Sequence, residues 1–344
     1  MVRRINLALQ GGGAHGAFTW GVLDCLLDDD DIEIAAISGT SAGALNGAAL
    51  KAGMLAGGRA GAKDSLDQLW SQVGRLDEAR LTDWMFPGLP IVAAMTDALA
   101  EMSVFSPQGI MAQLVSPYAW GPGWQNPLED VVRRLDFTQV CAADGPKLFV
   151  GATNVRTGKI RVFSGDDVSP EVLMASACLP TAFQAVEVTD PRTGTLEAYW
   201  DGGYAGNPAL FPLYAKGLPD DVVIVSINPM RRDDVPKSPL DIQNRINEIS
   251  FNAALLGELR SIEFVKKLIR QGTMERGHMK EVLIHFIADE KLMNDLSAGS
   301  KMSPTPALLY RLKSAGRAAA AGFLQGHRGD IGKRSSVDMA GLFG

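Results

Sequence analysis

The chain has 344 residues, of which 46% are hydrophobic and 21% charged, with a formal net charge of −6. That balance describes a globular protein with a sizeable core, and a net negative chain without a Lys/Arg-rich stripe is no nucleic-acid binder. Three cysteines, Cys25, Cys141 and Cys178, lack CxxC spacing, which argues against a disulfide framework or zinc site and for small apolar groups in a reducing compartment. The run before the first glycines is too short for a secretion signal, and no stretch approaches the roughly 18 apolar residues of a membrane span. The expected location is cytoplasmic, with membrane or lipid contact at the surface alone.

Taken in chain order, Ile5–Gln10 is a short apolar run ending at glycines, as a buried parallel strand would be. Residues 17–27 carry Phe18, Val22, Leu23, Leu26 and Leu27 at helical spacing, and the acids Asp28–Asp31 stop that helix because they oppose its dipole. Those acids read as a solvated turn in preference to a calcium site. Ile32–Ser38 is a second buried strand, and the turn Gly39-Thr40-Ser41-Ala42-Gly43 leads into a helix over Ala44–Met54. Strand, glycine loop, helix, strand, tight turn, helix predicts a right-handed parallel crossover in an α/β sheet.

Residues 57–135 read as a helical and irregular insertion, with one helix over Leu66–Leu76. Trp84, Met85, Phe86, Ile91, Val92, Met95, Trp120 and Trp124 crowd it, and either a cap packed on the sheet or a lid for acyl chains fits that composition. Strands follow at Lys147–Asn154 and Lys159–Phe163, then a short helix over Val172–Cys178 and a strand pair leading to Asp201. Val222–Ile227 and Val282–Ala288 read as strands, residues 240–271 as the longest amphipathic helix and Pro306–Leu324 as the last helix. One domain over residues 1–327 and a flexible polar tail from 328 to 344 complete the reading.

Gly11-x-Gly13-x-x-Gly16 fits the dinucleotide-binding fingerprint, which also needs an acid at the end of the second strand, about 20 residues on. Here that strand ends at Ser38-Gly39, and no Gly-Lys-Ser/Thr follows the loop for a nucleoside triphosphate. What stands there is G-x-S-x-G, which sets a serine on a sharp strand-to-helix turn, with the following N–H, on Ala42, able to face an oxyanion. Alone this motif is common; its place between strand and helix gives it weight. Gly11, Gly12 and Gly13, on the neighbouring strand, can then offer main-chain donors to the same oxyanion.

An activated serine needs a base. Of the four histidines, His278 and His327 lie in polar segments, His285 inside a strand pattern, and His15 in the glycine loop. Asp201 ends an apolar strand and precedes Gly202-Gly203, where a carboxylate can bond a serine directly if burial raises its pKa from about 3.9. A plain turn would have the same sequence.

Taken together, Gly11-Gly12-Gly13-Ala14-His15-Gly16, Gly39-Thr40-Ser41-Ala42-Gly43, Ala175-Ser176-Ala177-Cys178-Leu179-Pro180 and Asp201-Gly202-Gly203 resemble the motifs of the patatin-like phospholipases. The resemblance spans roughly residues 5–230. It implies a three-layer α/β/α sandwich with a mainly parallel sheet, and lipid ester hydrolysis by a Ser–Asp dyad without metal or organic cofactor. Ser41 would be the nucleophile, Asp201 the base, and Gly11–Gly13 with Ala42 the oxyanion hole; His15, Gly16, Gly39, Gly43, Gly202 and Gly203 would support the motifs. His15 departs from the family, which usually has Arg or Lys there. The rival readings are a histidine-dependent α/β-hydrolase using His285 or His278, and a non-enzymatic nucleotide-binding protein.

Overall fold

The computed structural model describes residues 2–76, 116–120, 126–339 and 341. Arg3–Leu9 (β1) and Ile32–Gly39 (β2) pair in parallel, and Lys147–Asn154 (β3) joins the other edge of β2. Asp221–Ser226 (β7) and Leu283–Ala288 (β8) extend the parallel sheet beyond β1. Ile160–Ser164 (β4), Val186–Thr189 (β5) and Leu196–Asp201 (β6) are antiparallel additions at the β3 end. The order is β5-β6-β3-β2-β1-β7-β8, with β4 on β3.

Both faces of the central strands are buried, which is why these runs are continuously apolar and not alternating. Ile5, Leu7 and Leu9 of β1 and Val223 and Val225 of β7 face one core with the helices Gly16–Leu26 (α1), Ala42–Val73 (α2) and Pro306–His327. Ala8, Val222 and Ile224 face a second core with Leu255, Leu259 and Ile262 of the helix Pro239–Arg270. The result is the expected three-layer arrangement, helices on both sides of a mixed, mostly parallel sheet.

Register places the chemistry. Gly39, the last residue of β2, pairs with Val150 of β3, while β4 lies along the opposite edge of β3. Beyond that point β3 continues, and Ala152 pairs with both Arg161 of β4 and Asp201 of β6. Strand β6 therefore occupies the edge of β3 that β2 has just vacated. Its final residue, Asp201, arrives two positions past the end of β2, beside the turn that holds Ser41.

Three expectations change. Residues 57–73 are the second arm of α2, folded back at Gly57 and Gly58 (φ 61°) and buried through Ala62, Leu66, Leu69 and Trp70. Past that kink the segment to residue 73 is thus a regular helix and not part of an irregular insertion. The acids after α1 are ion-paired as well as solvated: Asp28 meets Lys63 and Arg317, and Asp29 meets Arg328. The polar tail packs back on the sheet through at least Met339. Ile331 and Met339 are buried, Gly332 N–H donates to Asp221 at 2.8 Å, and Ser336 N–H donates to Ile284 O at 3.1 Å. Two apolar anchors and strand-edge hydrogen bonds suffice where composition suggests a loose end. Trp84, Met85, Phe86, Ile91, Val92, Met95 and Trp124 lie outside the described residues; of Trp120 the backbone alone is described, in the short turn Pro117–Trp120.

Candidate active site

Ser41 stands between the last residue of β2 and the first turn of α2, with φ 54° and ψ −125°. Among the described residues it is the single non-glycine with positive φ. Such a conformation stores roughly 1–3 kcal/mol and persists only where the surroundings enforce it. Small neighbours make it reachable. A Cβ on Gly39 would lie 2.6 Å from Gly43 O, and one on Gly43 would collide with Leu9 O. On the facing loop, a Cβ on Gly11 would lie 2.6 Å from the Ser41 Cβ.

Two side chains that lie within the quoted motifs, but to which the sequence assigns no role, hold the turn. Ser41 N–H donates to Ser176 Oγ at 2.9 Å, and Ser176 Oγ donates to Gly151 O at 2.7 Å. Thr40 Oγ1 donates to Gly206 O at 2.8 Å. The segment that carries Ser176 reaches the acid too, since Asp201 N–H donates to Cys178 O at 2.7 Å. It is a brace between Ser41 and Asp201.

The Asp201 side chain shares a hydrogen bond with Ser41 and accepts one from Gly203 N–H at 2.7 Å. It is 1% exposed and Ser41 7%. Burial disfavours the carboxylate and pushes its pKa up to about 7, against the opposing pull of the Gly203 and Ser41 hydrogen bonds. A carboxyl poised there exchanges protons at neutral pH, which an ordinary surface aspartate does poorly. Gly202 lies on Gly151 O too closely for any side chain, and Gly203 keeps the Oδ1 approach open.

Donors for negative charge lie alongside. Ala42 is the first residue of α2 and Gly13 of the 3-10 turn Gly13–His15, so their N–H groups have no partner within those helices. Gly12 N–H likewise has no protein partner among the described residues. Gly11 differs from expectation: its N–H is already committed to Asn207 Oδ1 at 2.7 Å. The loop thus offers Gly12 and Gly13, and Ala42 adds the N-terminus of a long helix whose dipole favours an anion.

His15 is buried, its Nε2 2.8 Å from Ser300 Oγ, and burial together with the Lys301 charge lowers its pKa to about 3. It stays neutral, faces the segment Ala298–Lys301, and supplies no cation to the loop. Gly16 opens α1 against the Ala42 Cβ, 2.5 Å from where its own would be, which packs the two loops together.

The remaining histidines lie away from Ser41. His285 is fully buried on β8, three strands from β2, or roughly 14 Å at the usual strand spacing. Its Nε2 is 2.9 Å from Asp221 Oδ1 and its Nδ1 3.1 Å from Ser336 Oγ. His278 is exposed beside Glu275, and His327 bonds Asp330 at 3.0 Å. The histidine-dependent reading loses its base. The one acid on β2, Glu33, stands at its start and none stands at its end to hold a ribose, so the nucleotide reading gains nothing from the fold.

Among solved structures the chain is similar to VipD from Legionella pneumophila, at 15% identity over 94% of this chain and 67% of that one, with a TM-score of 0.42. It is also similar to the ExoU–SpcU complex from the type III secretion system of Pseudomonas aeruginosa, at 18% identity over 95% of this chain and 61% of that one, with a TM-score of 0.26. No curated protein matches it. The patatin-like phospholipase family model matches residues 7–214, which takes in the glycine loop, the Ser41 turn and Asp201. The chain belongs to the patatin-like phospholipase family.

Proposed function

We propose that this protein is a serine acyl hydrolase that cleaves carboxylic esters of lipids through Ser41 and Asp201. The observation that carries the reading is the buried Asp201 carboxyl, hydrogen-bonded to a serine on a strained turn and raised to a pKa of about 7. Asp201 takes the Ser41 proton as Oγ attacks the ester carbonyl. The carbonyl electrons move onto oxygen, and Gly12, Gly13 and Ala42 N–H groups meet that oxyanion, each donor contributing roughly 3–4 kcal/mol in such sites. Protonated Asp201 then gives its proton to the departing alcohol as the carbon–oxygen bond breaks. Water, deprotonated by the same carboxylate, attacks the acyl-serine, and the fatty acid leaves as Asp201 returns that proton to Ser41 Oγ.

Every proton and charge in this cycle is handled by groups of the chain. Family membership favours phospholipid, lysophospholipid or neutral lipid esters as substrates, approached at a membrane or lipid surface. The three cysteines are free, which suits the cytoplasm. The test is hydrolysis of phospholipids, lysophospholipids, acylglycerols and short aryl esters by the wild type and by Ser41→Ala, Asp201→Asn and His278→Ala. Loss in the first two variants and full activity in the third supports the reading. Activity that survives Ser41→Ala contradicts it.

A further inference from the structure

The peptide between Gly11 and Gly12 bears one of the amides assigned to the oxyanion, and its carbonyl end is clamped. Gly11 O accepts from Asn228 Nδ2 at 2.7 Å and, at the longer distance of 3.4 Å, from Asn207 Nδ2. In a planar trans peptide the C=O and the following N–H point in opposite directions. Strand β1 lies between β7 and β2; Asn228 follows β7 and Ser41 follows β2. Drawing Gly11 O toward Asn228 therefore turns Gly12 N–H toward Ser41. A peptide flanked by two glycines has little steric resistance to turning over. Flipped, it would present a carbonyl oxygen where a donor is needed.

Asn228 is itself held in one orientation. Its Oδ1 is 3.5 Å from Lys301 Nζ, a group that can only donate, which leaves Nδ2 for Gly11 O. Its N–H donates to Gln10 Oε1 at 3.0 Å, and its carbonyl accepts from Asn252 Nδ2 at 3.4 Å. Lys301 Nζ donates in turn to Asn244 Oδ1 at 3.1 Å and to Glu248 Oε1 at 3.2 Å, and Glu248 is fully buried under Arg232. The Lys301 carbonyl also lies against Gly13, where it would collide with any Cβ. Asn228, Asn244, Glu248, Asn252 and Lys301 all lie beyond residue 214, where the family match ends.

We propose that Asn228, oriented by Lys301, is a positioning residue that keeps the Gly11–Gly12 peptide from flipping and so holds Gly12 N–H ready for the oxyanion. This rests on the hydrolase reading above. The experiment compares kcat and KM on a soluble short-chain aryl ester for wild type, Asn228→Ala, Asn228→Asp, Lys301→Met and Lys301→Arg. It adds the affinity of each for a trifluoromethyl ketone, which forms a serine-bound oxyanion, and thermal unfolding to verify the fold. Asn228→Asp keeps the shape, loses the donor and sets a carboxylate against Gly11 O. Both Asn228 variants should lose roughly 100-fold in kcat with KM within about threefold, and ketone affinity should fall in parallel. Lys301→Met should lose part of kcat, and Lys301→Arg should restore it.

Folded Asn228 variants with unchanged kcat, or a loss confined to KM, overturn the proposal. Should those variants not fold, unchanged kcat in Lys301→Met overturns it instead. A wild type without esterase activity overturns the hydrolase reading and this inference with it. An active wild type, a dead Ser41→Ala and a fully active Asn228→Asp overturn this inference alone.

Discussion

Asp201→Asn tests the electrostatics of the site through stability as well as turnover. Burial raises the Asp201 pKa from 3.8 to about 7 in the folded protein. The native state therefore holds this proton more tightly than the unfolded chain does. Between pH 3.8 and about 7 the unfolded carboxyl is ionised while the buried one is still protonated, so stability falls as pH rises through that window. Above it the wild type carries the full penalty, about 4 kcal/mol from a shift of about three units. Asparagine has nearly the same shape, still accepts from Gly203 and Ser41, and never ionises. By thermal unfolding the variant should exceed the wild type by roughly 5 °C at pH 8, given typical unfolding entropies for a chain of this size. The gap should close near pH 4, while ester hydrolysis drops by roughly 10²–10⁴-fold for want of the base. Equal or lower stability of Asp201→Asn at pH 8, or a gap that does not vary with pH, would refute this reasoning.

Other outcomes follow from the same geometry. Ser41→Gly removes the side chain that is strained at φ 54°, and should raise stability by about 1–3 kcal/mol in denaturant titrations while ending turnover. The kcat/KM profile should have an acid limb with its midpoint near pH 7, because free enzyme with protonated Asp201 cannot accept the serine proton. His285→Asn should leave kcat/KM within about threefold of wild type yet lower the melting temperature, because it takes the imidazole from a buried Asp221 contact. An inactive but folded His285→Asn would restore the histidine-dependent mechanism.

Much of this arrangement is legible in the sequence, for physical reasons that differ by element. Strands such as Lys147–Asn154 are covered on both faces, so they appear as apolar runs with sharp polar or glycine ends. The Ser41 turn is visible because its crowding leaves only small residues at 39, 42 and 43. The nearness of Asp201 to Ser41 is different: it depends on β6 taking over the edge of β3 where β2 stops, and pairing register leaves no trace in composition. The motif around Ser176 does not show what its hydroxyl bonds, and Asn207, Asn228 and Lys301 are single polar residues outside the strands and α-helices, with no periodicity to betray their partners. The commitment of the Gly11 N–H is invisible in the sequence for the same reason, since Asn207, which accepts it, stands almost two hundred positions away. The tail beyond residue 327 reads as loose because two apolar anchors, Ile331 and Met339, are too few to shift its average polarity.

The pairing of Ser41 with Asp201 is tested most directly by mapping a fluorophosphonate adduct by mass spectrometry and following its rate of formation with pH. A single adduct on the peptide containing Ser41, forming faster as pH rises through about 7 and not forming in Asp201→Asn, is the predicted result. An adduct on another residue, or an esterase that turns over substrate while Ser41 stays unmodified, would contradict the account.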